Sequence, residues 1–97
     1  MPDVRWNAAV ALARHGRADG TPVLRQMIDR PYVERTVRRE VRQDADQDPI
    51  ADVMISALRA LASLKDASLK ALVEALSRQD PSLKVRQAAI EALKVMG

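Results

Sequence analysis

The chain has no cysteine and no phenylalanine, and its 97 residues include one tryptophan (Trp6), one tyrosine (Tyr32), one histidine (His15) and three glycines. Without cysteine, disulfides and thiolate metal sites are excluded, and the redox compartment is left open. A single histidine has no second histidine or thiolate with which to share a metal, so His15, near a helix C-terminus, reads as structural. The glycines stand at helix ends and build no phosphate-cradling loop. No serine has the context of a nucleophile elbow. No apolar run approaches ~20 residues and there is no signal-peptide pattern, so a soluble chain is expected, with the cytoplasm favoured. No catalytic residue, cofactor or metal is expected.

What the sequence does hold is 47% apolar residues. With so few aromatics, the core has to be made of Ala, Val, Leu, Ile and Met. Such a core suits close-packed helices better than a β-sandwich. The length fits one domain over 1–97. The net charge of +3 is unevenly spread: residues 1–42 carry nine Arg, no Lys and five acids, and residues 43–97 carry seven basic residues against eight acids.

Punctuation divides the chain into six helical runs. The first covers 2–15 and stops at Gly16. Thr21-Pro22 reads as N-cap and first helical residue of a second, to about 29. Pro31 precedes a third, in "YVERTVRREVRQ". Asp48-Pro49 opens the fourth, to about 64, Asp66 or Ser68 caps the fifth, to about 77, and Asp80-Pro81 opens the sixth. Short connections predict antiparallel neighbours.

An internal repeat underlies this order. Shifted by 32 residues, Asp80-Pro81, Val85, Ala89, Ala92 and Leu93 fall on Asp48-Pro49, Val53, Ala57, Ala60 and Leu61. Val4, Ala8, Ala11 and Leu12 take the same places in the first helix. The shared V-x-x-x-A-x-x-A-L sets one narrow face of small residues, against which a neighbouring helix can pack closely. The following helices match without a gap: Val23, Leu24 and Met27 correspond to Leu72, Val73 and Leu76. A repeat of this period signals a helical solenoid.

The segments "DVRWNAAVALARHG" at 3–16, "DPIADVMISALRAL" at 48–61 and "DPSLKVRQAAIEAL" at 80–93 resemble the HEAT-repeat family, in its short bacterial, bilin-lyase-like form. The resemblance implies an α-solenoid of stacked antiparallel hairpins, with repeat cores near 3–28, 48–77 and 80–97. It also implies an Arg after the repeat's Val that pairs with an acid of the turn. Arg5 and Arg86 match that position; Met54 does not. Some relatives of this kind are enzymes with two His-Glu pairs on a metal, which one histidine does not allow.

Two departures from the repeat carry the functional expectations. About 17 extra residues near 29–45 interrupt it and hold the third helix, with a Val33, Val37, Val41 stripe. Arg35, Arg38, Arg39 and Arg42 lie on its far side at i, i+3, i+4 and i+7, a candidate anion-binding ridge or a solvated face shared with Glu34 and Glu40. In the first helix, Trp6, Val10 and Ala13 stand where the last has Gln87, Glu91 and Lys94. The first helix is thus apolar on nearly all sides, and this stripe is expected to be an open partner-binding face. It would be covered by a protein partner, by a second copy in a homodimer, or by a preceding repeat of a longer array of which this chain is the C-terminal part; the other reading has Trp6 fold back over the chain's own core. Asp44, Asp46, Asp48 and Asp52 resemble calcium-loop spacing, but Pro49 stands where that loop needs Gly and Ile55 where it needs Glu, so capping is the better reading. The expected function is a non-catalytic module for protein–protein interaction or scaffolding. The alternative is binding of nucleic acid or another polyanion by the Arg face, with few aromatics to stack on bases.

Overall fold

The computed structural model describes residues 2–38, 49–64 and 67–96, and every regular element among them is helical. The α-helices are α1 (Pro2–Arg14), α2 (Thr21–Met27), α3 (Arg30–Arg38), α4 (Pro49–Leu64), α5 (Lys70–Gln79) and α6 (Leu83–Met96). Single 3₁₀ turns at Ala18–Gly20 and Ala67–Leu69 lead into α2 and α5. α4 is the hub, packing against α1, α2, α3 and α6, while α5 packs on α6. Among the described residues no helix is long and apolar enough to cross a membrane.

The small-residue face explains the packing of α4 and α6. Ala57, Ala60 and Leu61 are buried in α4, and Val85, Ala89 and Ala92 are buried in α6. Of these, Ala57 and Ala60 fall on Ala89 and Ala92 at the 32-residue offset, and their short side chains let the two helices approach closely. Val53 and Leu93, the counterparts of Val85 and Leu61, are half-buried. The outer helices agree as well: the matched Leu24 and Val73 are both fully buried. In α3, Val33 and Val37 of the expected stripe are buried, and its third residue, Val41, lies outside the described residues.

α1 departs from the pattern. Val4, Ala8 and Ala11 are exposed, whereas Trp6, Ala9 and Ala13 are buried and Val10 is half-buried. At 100° per residue this amounts to a roll of about half a turn about the helix axis. The expected open stripe of Trp6, Val10 and Ala13 is therefore turned inward. This roll puts the large indole, which can bury up to about 250 Å², into the core and sets Ala9 against the closely approaching Gly20.

The turn after α1 follows from two glycines with different roles. Gly16 has φ +76° and closes α1: its N–H donates to Ala13 C=O, and the Arg17 N–H donates back to Leu12 C=O, a Schellman arrangement. Gly20 is not strained. A Cβ there would stand 2.8 Å from Ala9 Cα, so its absence lets the 3₁₀ turn lie directly on α1. That turn runs straight into α2, so Thr21 is already helical and Gly20 takes the N-cap position. The 3₁₀ turn before α5 likewise delays that helix to Lys70; Leu69 holds the N-cap position there and Asp66 lies outside the described residues.

The largest correction concerns Asp80. It does not cap α6, and Pro81 is not the first helical residue. Asp80 ends α5 in an extended conformation, and Ser82 precedes α6 instead, with the Ser82 hydroxyl accepting from Val85 N–H at 3.4 Å. The Asp80 carboxylate is otherwise engaged. It accepts two parallel hydrogen bonds from Arg30, at 2.8 Å from Nε and 2.7 Å from Nη2, and a third from Ser82 N–H at 2.9 Å. The Asp80 side chain is 1% exposed and that of Arg30 18%. Arg86, the residue expected to meet an acid of the turn, leaves its Nε buried without a hydrogen-bond partner, and Arg5 is exposed on α1.

Two outcomes follow for stability. Asp80→Ala removes both short hydrogen bonds of a mostly buried guanidinium and leaves it the longer contact to Glu34 at 3.7 Å. Urea denaturation should therefore show a loss toward the lower end of the about 3–5 kcal/mol typical of a broken buried pair. That exceeds the 0.5–2 kcal/mol typical of a lost cap. A loss below about 1 kcal/mol would place the pair with ordinary surface bridges. The glycines should separate by chemistry. Gly16→Asn should be nearly neutral, since Asn tolerates the left-handed region, while Gly20→Ala should cost about 1–3 kcal/mol and Gly20→Asn more. Equal effects of Asn at the two positions would contradict these roles.

Candidate functional site: a trough between the first and fourth helices

Because α1 turns Trp6 inward, one flank of the helix is left facing α4 across a gap. Trp6, Val10 and Arg14 recur every four residues along this flank, a line of about two turns or ~12 Å. Pro49, Asp52, Val53 and Ser56 form the facing wall on α4. Met27 at the end of α2 and Val37 on α3 help close the floor. Together these residues bound a trough of about 610 Å³. Its floor is apolar and largely buried, with Trp6 at 6% exposure. Asn7, Arg14, Asp52 and Ser56 stand exposed along the rim. An apolar concavity with a few polar groups on its edge is the usual form of a binding site.

The two charges on the rim are of opposite sign and lie on opposite walls. Neither Arg14 nor Asp52 is in an ion pair with a described residue. Each sits where the helix dipole favours it, Arg14 in the last turn of α1 and Asp52 in the first turn of α4.

On the other side of α4, Ile55 and Arg59 face Leu83, Lys84, Gln87, Ala88 and Glu91 of α6 across a shallower groove of about 390 Å³. The residues that α6 contributes there correspond, through the repeat, to the flank of α1 that lines the trough. Gln87, Ala88 and Glu91 stand where α1 has Trp6, Asn7 and Val10. The same helical flank thus borders a groove on each side of α4, apolar on α1 and mostly polar on α6.

Of the residues singled out in the sequence, Trp6 and Val10 line the trough, while Ala13 is fully buried and does not. Arg35 is exposed on the outer side of α3. The Arg38 side chain, Arg39 and Arg42 lie outside the described residues, as do Asp44, Asp46 and Asp48. Asp52 is exposed on α4 and His15 is exposed just after α1. Among the described residues no group of three His, Cys, Asp or Glu is placed to hold a metal ion. Sequence reasoning missed Asn7, Arg14, Val53 and Ser56. Their signal is only that they flank the buried stripes of α1 and α4, which requires knowing how α1 is rolled. The chain matches no protein-family model, no curated protein and no solved structure.

Floor and rim should respond differently to substitution. Trp6→Ala removes a large buried side chain and should cost about 3–5 kcal/mol by chemical denaturation. Asn7→Ala and Ser56→Ala should stay within about 0.5 kcal/mol of the parent chain. A tolerated Trp6→Ala would mean that the indole is not part of the core.

Proposed function

We propose that the chain is a HEAT-like helical-repeat module whose work is protein–protein interaction or scaffolding, without catalysis of its own. The repeat reading is supported by α4 and α6, which bury corresponding small residues, and by α2 and α5, which bury corresponding Leu24 and Val73. In that reading α1, α4 and α6 are the inner helices of stacked antiparallel hairpins, and α3 is an insertion between two of them. The observation that carries the functional proposal is the trough, a concavity with an apolar floor and a polar rim on the surface that these helices share. Exposed Leu83, Ile90 and Val95 on α6 add apolar surface that a polypeptide can cover. The polyanion alternative rests, among the described residues, on the exposed Arg35.

A photo-reactive amino acid in place of Ser56 should cross-link to a discrete polypeptide in cells producing the chain. The same group in place of exposed Arg78 on α5 should not. If the chain instead retains duplex DNA or polyphosphate with a steep salt dependence, and Ser56 captures no protein, the polyanion reading replaces this one.

A further inference from the structure

The trough also constrains the chemistry of what it would hold, an inference that rests on reading the chain as an interaction module. We infer that it takes a peptide segment with an apolar anchor between one acidic and one basic side chain: the anchor on Trp6, Val10 and Val53, the acid against Arg14, the base against Asp52.

Charge is the first argument. Among the described residues the rim offers one cation and one anion, on opposite walls, neither paired with another described residue. A polyphosphate or a strongly acidic peptide would meet Arg14 but be repelled by Asp52. A polybasic segment would suffer the reverse. Like charges brought together across an interface are costly, so a rim of mixed sign selects a ligand of mixed sign and also fixes its direction. The second argument is shape. The trough extends about two helical turns, ~12 Å, along α1. Its 610 Å³ is the room of a whole ligand. A segment lying along the helices fills such a shape with several side chains, and its apolar anchor covers what remains exposed of Trp6. The groove on the α6 side offers less: its volume is about 390 Å³, and Gln87 and Glu91 replace the apolar wall.

The test uses the intact chain and a phage-displayed library of random twelve-residue peptides made without tryptophan. Trp6, the only tryptophan, then reports binding of the enriched peptides by its emission. The expected peptides carry an apolar residue between an acid and a base, and they shift Trp6 emission with one-to-one stoichiometry. Arg14→Asp and Asp52→Arg should each weaken them by about tenfold. The double variant should regain affinity only for peptides in which acid and base are exchanged. If either reversal unfolds the chain, Arg14→Gln and Asp52→Asn carry the same comparison with smaller losses. Peptides that enrich but bind all of these variants equally would overturn the inference and leave the interaction module standing. A library that yields no enriched peptide would count against both. A Trp6 response to a small apolar dye, but to no enriched peptide, would also overturn it, by showing a small-molecule cavity.

Discussion

The contact that ties the distant parts of this chain together is the paired hydrogen bond from Arg30 to Asp80, across 50 residues of sequence. Taking two charges out of water costs several kcal/mol, and their attraction returns this only when geometry is good and the remaining lone pairs are satisfied. Here they are, since the carboxylate also accepts the Ser82 N–H. Such a pair adds little net stability compared with an apolar substitute, but it specifies a position strongly, because any other arrangement strands a charge. It anchors the start of α3 to the turn between α5 and α6. From that anchor α3 lays Val33 and Val37 into the core, and Val37 becomes part of the trough floor.

The same contact explains why the repeat pattern misled at its turn. Asp-Pro before a helical run ordinarily reads as N-cap and first residue. Asp80 has a more demanding partner, a guanidinium fork that matches both of its oxygens, so Asp80 itself stays extended and α6 begins only at Leu83. Arg30 belongs to the insertion, and nothing in local spacing connects it to a turn 50 residues later. Arg86, the arginine that the family resemblance would set beside an acid of the turn, has its Nε buried without a hydrogen-bond partner.

Much of the fold was legible because it is periodic. Four features needed only 3.6-residue spacing and the residues that break it: the helical class, the stop at Gly16, the inward stripe of α3, and the match of α4 with α6. The roll of α1 was not legible. Its sequence is apolar on two faces, Val4-Ala8-Ala11 and Trp6-Ala9-Ala13, and periodicity cannot rank two such faces. Ranking them takes tertiary information, namely that Gly20 lets the next turn press on Ala9 and that α4 accepts the indole. The site was half legible for the same reason. Trp6 and Val10 stood out as apolar residues without a counterpart in α6, but their expected role as an open face depended on the wrong roll. Arg14 and Ser56 looked like ordinary surface positions and Asp52 like one of a set of helix-capping acids, and all three acquire their place in the trough only from the gap between two particular helices.

The departures from the repeat, taken together, account for the trough. Where α6 has Gln87 and Glu91, α1 has Trp6 and Val10; where α6 has Lys84, α4 has Asp52; and Val37 comes from a helix the repeat does not contain. Packing alone does not require these differences, because α6 borders α4 with a polar flank and buries its core residues fully. The apolar side is also the roomier, about 610 against 390 Å³, and each 100 Å² of apolar surface covered there would contribute about 2.5 kcal/mol before the costs of association. The repeated spacing of the helices thus builds the support, and the residues that break the pattern make one of its two grooves the more apolar.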